Sequence, residues 1–208
     1  MGLRESNRAE KRRRIKDAAS ALFTNKGFDR ATIDEIAARA GVGSGTIFLY
    51  TVGKRDLFFQ LCIDELELIR SKGFASIKST MPLLQQLLTP EVVLYRHLAK
   101  SIVLKKIFFE ELAMLSGEHA NRLWEIRHRT ISKIEQLIFA AESSGAIRCG
   151  DDHRLVAKCI FFSSQSAVHW WVRSPRPRVS AGIADLRRIY TLHLRALNPT
   201  AAAFEKRA

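Results

Sequence analysis

Apolar residues recur at intervals of three and four along nearly the whole chain, and nowhere do they alternate long enough to make a strand. Residues Met1 to about Ala9 read as loose, polar and basic. From Glu10 a helix begins, with Ile15, Ala18, Ala19, Leu22 and Phe23 on one face. Asn25-Lys26-Gly27 stops it, and Phe28 falls in the turn, where an aromatic can plug a small core. Thr32-Ile33-Asp34-Glu35 has the form of a capping box: the Thr32 hydroxyl takes a backbone amide and Glu35 reaches back. The brief helix it opens turns Ile33, Ile36, Ala37 and Ala40 inward and ends at Gly41. Val42 is expected in a buried turn. Gly43-Ser44-Gly45-Thr46 then opens a short helix carrying Ile47 and Tyr50. Thr51-Val52-Gly53 breaks it, and Lys54-Arg55-Asp56 starts a longer one through Leu57, Phe58, Leu61 and Leu66. Two short helices on a tight glycine turn, braced on each side by a longer one, form a helix-turn-helix unit.

The remaining two thirds also read as helix. Pro82 and Pro90 are expected to bracket the segment LLQQLL, with one long or two abutting helices from Glu91 to about Leu115. Ser116-Gly117 marks a joint. A long helix follows from Glu118 to Ser144, with Leu123, Ile126, Ile134, Leu137, Ile138 and Ala141 inward. Asp151 or Asp152 caps the next, which reaches about Arg173. After the turn Ser174-Pro-Arg-Pro, a last helix covers roughly Ser180 to Leu197. The pattern predicts an all-α protein of about nine helices: an N-terminal three-helix unit containing the helix-turn-helix, then a larger helical domain.

Composition changes this picture in one direction. The chain has 208 residues, 34 of them Lys or Arg against 21 Asp or Glu, a formal charge of +13. Such a balance suits a polyanion, nucleic acid before a membrane surface, although a basic surface can also serve solubility alone. The excess concentrates in Arg4–Lys16, with seven basic and two acidic residues, and from Arg173 onward, with eight and two. No apolar run has membrane-spanning length, and the charged start lacks the apolar block of a secretory signal. Cys62, Cys149 and Cys159 have neither metal-ligand spacing nor an even count, so a reducing cytoplasm fits best, without metal or cofactor.

A helix-turn-helix sends its second helix into the DNA major groove, start foremost. There Ser44 and Thr46 are small donor-acceptors suited to bases or phosphates, Tyr50 can donate its hydroxyl, and Lys54 can reach a phosphate. Thr32 can offer its amide and hydroxyl to another. Phe48 and Leu49 cannot both be buried beside Ile47 and Tyr50, so one of them faces the partner. Arg12, Arg13 and Arg14 can follow the flanking backbone or enter a minor groove. Taken singly, Ser44 and Thr46 serve equally as helix caps, Tyr50 as a hinge residue and Lys54 as a surface lysine. The spacing taken together favours double-stranded DNA.

The stretch RIKDAASALFTNKGFDRATIDEIAARAGVGSGTIFLYTVGKRDLF, Arg14 to Phe58, resembles the TetR family of transcriptional regulators. The likeness runs through Thr32, Ile36, Ala37, Ala40, Gly41, Val42, Gly45, Thr46, Tyr50, Lys54 and Leu57. It implies a DNA-binding domain over 9–69, with the helix-turn-helix at about 32–51. It places Thr32, Gly43, Ser44, Gly45, Thr46, Phe48, Leu49, Tyr50 and Lys54 nearest DNA. The chain departs at Gly43, where serine is frequent, at Phe48, often tyrosine, and at Thr51, where phenylalanine is habitual. The resemblance also implies that residues 70–199 form an effector-binding and dimerisation domain, and that the regulator most often represses; activation stays open.

The residues agree in kind. One reading head contacts few bases, whereas a two-fold dimer reads a palindrome. The helices at about 153–173 and 180–197 are the expected homodimer surface, with Trp170 and Trp171 as anchors and Arg187, Arg188 and Arg195 at the rim. A pocket lined by Phe74, Phe108, Phe109, Trp124, Phe162 and His169, with His128 or Gln165 as polar hooks, would take a small hydrophobic or aromatic effector. Two other classes fit the residues less well. No HExxH, GxSxG, P-loop or dinucleotide fingerprint marks an enzyme, and Glu125 with His128 reads as an ion pair. A membrane-surface protein needs a broad apolar stripe on an exposed helix, which the first helix spends on its core.

Overall fold

A computed structural model describes residues 2–100, 116–150 and 152–204. Among them are eight α-helices: α1 (Leu3–Lys26), α2 (Ile33–Ala40), α3 (Ser44–Ile47), α4 (Lys54–Ala75), α5 (Leu83–Lys100), α6 (Gly117–Ser143), α7 (His153–Arg173) and α8 (Val179–Arg195). A 3-10 turn at Ala201–Ala203 follows, and no strand occurs among the described residues. None of these helices is long and apolar enough to cross a membrane.

The N-terminal core is built where the apolar spacing put it. Ile15, Ala19 and Phe23 of α1, Ile36 and Ala37 of α2, Ile47 of α3, and Leu57, Phe58 and Ile63 of α4 are buried in one cluster. Phe28 plugs it as expected, its ring 5.5 Å from that of Phe23 and 5.0 Å from that of Phe58. The Thr32 capping box forms: the Thr32 hydroxyl accepts from Glu35 N, and Thr32 N donates to Glu35 Oε2 at 3.0 Å. Gly41 ends α2 in the left-handed region at φ 64°, which other residues enter only at a cost.

Two expectations need correcting. The first helix starts at Leu3, not Glu10, so the basic segment is helical. No glycine or proline interrupts 3–26, and Arg13 braces the exposed face by pairing with Glu10 at 2.6 Å and Asp17 at 3.3 Å. Pro90 does not bound a helix; it lies inside α5. The lost backbone bond is offset by tertiary burial, since Leu83, Leu84, Leu87, Leu88, Leu94 and Tyr95 of α5 are all buried.

The larger core joins the second half of α4 to α5, α6, α7 and α8, around Tyr95, Ile138, Ile160, Leu186 and Tyr190. Arg70 of α4 and Glu91 of α5 form an ion pair at 2.6 Å in its interior. The expected helix from Glu91 to about Leu115 is seen to Lys100; residues 101–115 lie outside the described ones. Asp152 caps α7, accepting from Arg154 N at 2.8 Å. At Gly73 the backbones of α4 and α5 nearly touch, for a Cβ there would lie 2.7 Å from Pro90 Cα. Both atoms belong to helix backbones, which cannot move aside independently. Gly73→Ala is therefore expected to destabilise the protein by about 1–3 kcal/mol, read from urea unfolding monitored by circular dichroism.

Candidate nucleic-acid interface

α3 is a single turn held on three supports. Ile47 is fully buried beneath it. Ser44 Oγ donates to Asp34 Oδ1 of α2 at 2.6 Å, fixing the angle between the two short helices. Behind it, Tyr50 O accepts from Gln60 Nε2 of α4 at 3.1 Å. The outer surface stays open: Gly43 and Gly45 are exposed, Thr46 and Tyr50 are half-buried, and Phe48 and Leu49 are 57 % and 72 % exposed. Both apolar side chains, not one, face outward. Thr32 is exposed at the start of α2, beside the same surface.

Several candidate cations are committed to the chain itself. Lys54 Nζ donates to the carbonyls of Asp29 and Ala31, each at 3.0 Å, and lies 4.7 Å from the Phe28 ring centroid. It staples the α1–α2 turn to α4, with a third N–H left for an outside acceptor. Arg14 donates to the carbonyls of Ala40 and Gly41 at the end of α2. Arg12 reaches Gln60 Oε1 at 3.5 Å, and Arg13 is paired as above. Arg4, Arg8 and Lys11 are exposed along the first turns of α1.

The polar hub below α3 went unnoticed in the sequence. Thr51 is buried, and its hydroxyl donates to Asp56 Oδ2 at 2.5 Å. Asp56 also accepts from Val52 N at 3.0 Å, from Gln60 Nε2 at 3.1 Å and from His119 Nε2 of α6. Threonine where an aromatic is habitual was the available signal: a small polar side chain in that place needs a buried partner. Asp56, third in α4, is where a carboxylate meets the free amides of a helix start.

Burial by itself would raise the Asp56 pKa, but the bonds from Thr51, His119, Val52 and Gln60 outweigh it and hold the carboxyl below its ordinary value. Asp64 behaves alike: burial raises it, and the bonds from Lys16 and Arg122 prevail. A depressed folded-state pKa gives stability that is present above the unfolded value and lost as pH falls through the folded one. The thermal midpoint is thus expected to drop below about pH 4 as these two groups take up protons. In Asp56→Asn/Asp64→Asn that acid-side drop should be visibly smaller in a calorimetric pH series.

Among the described residues, those expected to bind the effector do not gather around one cavity. A cavity of about 660 Å³ opens between α4 and α6, lined by Arg70, Phe74, Ile77, Ile126, Arg129, Lys133 and Leu137 among others. Among the described residues of the predicted set, Phe74 alone lines it. Trp124 is 61 % exposed on α6, where it meets the His128 ring 4.3 Å away. Phe162 is 59 % exposed on α7, which also carries Gln165 and the half-buried His169. Phe108 and Phe109 lie outside the described residues. The tryptophans also divide: Trp170 is 82 % exposed, whereas Trp171 is buried and donates to Arg178 O at 3.0 Å. Trp171 therefore belongs to the subunit's own core.

Comparison with known proteins bears on this geometry. The profile described as "Bacterial regulatory proteins, tetR family" matches residues 15–61, the span from the middle of α1 to the first turns of α4. The chain is similar to the fatty acid metabolism regulator protein of Bacillus subtilis, 27 % identical over 161 residues covering 76 % of this chain and 81 % of that one. Its fold is similar to that of a Thermus thermophilus FadR, a TetR-family repressor solved with lauroyl-CoA, at a TM-score of 0.69, 21 % identity, and coverage of 95 % and 96 %. The Bacillus subtilis FadR solved with stearoyl-CoA gives 0.66 at 23 % identity, covering 87 % and 96 %. The capping box, the glycine turn and the open one-turn helix all fall inside the span that matches the tetR-family profile.

Proposed function

We propose that this protein is an effector-responsive repressor that binds a palindromic operator as a homodimer and is released by a long-chain acyl-CoA. The observation that carries the DNA-binding part is the uncovered surface of α3, where Gly43, Gly45, Phe48 and Leu49 are exposed while Ile47 anchors the turn from below. Thr32, Ser44, Thr46, Tyr50 and Lys54 surround that surface as phosphate and base contacts. Phe48 and Leu49 supply apolar contact with thymine methyl groups. Residues 9–69 form the DNA-binding unit in this reading, and 70–199 the regulatory one.

The second copy sits on α7 and α8. Leu155, Cys159, Phe162, Ser166 and Trp170 follow one another at spacings of three and four, and all are exposed. With Leu192 of α8 they make an apolar stripe on a helix pair that no other described element covers. The acyl-CoA assignment rests on the ligands named for the two FadR structures and on the α4–α6 cavity. Phe74, Ile77, Ile126 and Leu137 there suit an alkyl chain, and Arg129 and Lys133 suit a phosphate-bearing head.

Selection of bound duplexes from a random pool tests the reading. A palindromic consensus, and its release by palmitoyl-CoA but not by free CoA, is the expected result. An asymmetric or absent consensus would remove the dimeric operator reading, and indifference to palmitoyl-CoA would remove the effector.

A further inference from the structure

α6 belongs structurally to the DNA-binding unit as much as to the regulatory one. Ile126 is buried in the N-terminal core cluster rather than in the larger one. On the same face of α6, a row of basic side chains meets a row of carboxylates on α4. His119 holds Asp56; Arg122 holds Asp64 at 2.7 Å and Glu67 at 3.4 Å; Arg129 holds Glu67. Lys16 of α1 completes the seam by pairing with Asp64. The rungs run from the lip of the cavity, where Glu67 and Arg129 are lining residues, to the turn behind α3. The last rung is the least exposed, with His119 and Asp56 side chains 18 % and 19 % accessible. It ends on the carboxylate that also receives the Thr51 hydroxyl and the Val52 amide.

We propose that His119 is a positioning residue for DNA reading: from the first turns of α6 it fixes Asp56, and through Asp56 the 51–53 turn that sets the pose of α3. α6 thereby carries the state of the cavity to the reading helix. An anionic head group that draws Arg129 from Glu67 loosens the seam at its far end, and the shift reaches Asp56 along a rigid helix. This second half rests on the effector reading above; the first half does not.

The test compares wild type with His119→Ala and His119→Gln in the full-length chain. The Gln amide can still donate to Asp56. Hydrogen exchange by mass spectrometry reads peptides spanning 48–57. His119→Ala should exchange there at least threefold faster, and His119→Gln should restore most of the protection. Unchanged exchange in His119→Ala, or equal loss in both variants, would overturn the positioning role. Fluorescence anisotropy on the selected duplex then reads how far palmitoyl-CoA weakens DNA binding. That factor should fall at least fivefold in His119→Ala, with palmitoyl-CoA affinity of the DNA-free protein within twofold of wild type. An undiminished factor would overturn α6 as the carrier. If palmitoyl-CoA leaves wild-type binding untouched, the effector reading fails, and the exchange result alone decides the role of His119.

Discussion

Gly45→Glu is expected to fold like wild type and to lose operator affinity by roughly 10²–10³-fold, or about 3–4 kcal/mol. A Cβ at Gly45 would meet nothing within 4 Å, and the backbone there needs no left-handed conformation, so the subunit accepts a side chain without strain. The surface it would project from is the one proposed to enter the groove. A carboxylate there opposes the phosphates and its bulk holds the backbone off the base edges. Gly45→Ala separates the two effects, since it adds one methyl group and no charge; its loss should be about tenfold or less. Thermal unfolding within a degree or two of wild type, together with titration of the selected duplex by anisotropy, checks both variants. Normal operator affinity in Gly45→Glu would mean that α3 is not the reading helix.

Trp170→Arg should turn the protein into a folded monomer and cost the palindromic operator roughly 10²–10⁴ in affinity, the gain that a second linked reading head supplies. Trp170 is 82 % exposed, so the single subunit loses little packing. The groove beside it already carries Arg176, Arg178, Arg187, Arg188 and Arg195 with Asp185 as the one acidic lining residue. A further guanidinium brought there in two copies is repelled as well as ill-fitting. Sedimentation velocity at micromolar protein gives the oligomeric state, and anisotropy on full and half operators gives the affinity. Trp171 makes the contrast: it is buried within the subunit, so Trp171→Ala should lower stability by about 3–5 kcal/mol before it touches assembly. A dimeric Trp170→Arg would move the interface elsewhere.

Much of the reading head was legible because its signals are local. The capping box spans four residues, the Gly41 turn a handful, and the spacing of Ile36, Ala37, Ala40 and Ile47 fixes which sides of two short helices face inward. Chemistry that depends on side-chain direction was less legible. Lys54 looked free for a phosphate, yet two of its donors hold the carbonyls of Asp29 and Ala31. Arg14 looked like part of a basic arm, yet it closes the end of α2. The basic segment itself looked loose because it has no apolar face. Helix propensity and charge pairing carried α1 back to Leu3 without one.

What the sequence by itself determined is the all-helical class and the helix-turn-helix with its glycine turn. Each follows from hydrogen-bonding and apolar periodicity within about four turns of chain. Only the tertiary structure decided that Asp56 and His119, 63 residues apart, share one hub, that the cavity lies between α4 and α6, and that Trp171 turns in while Trp170 turns out. Successive helix residues point about 100° apart, so the phase and crossing of distant helices settle which neighbour is core, and no short stretch of sequence contains that phase.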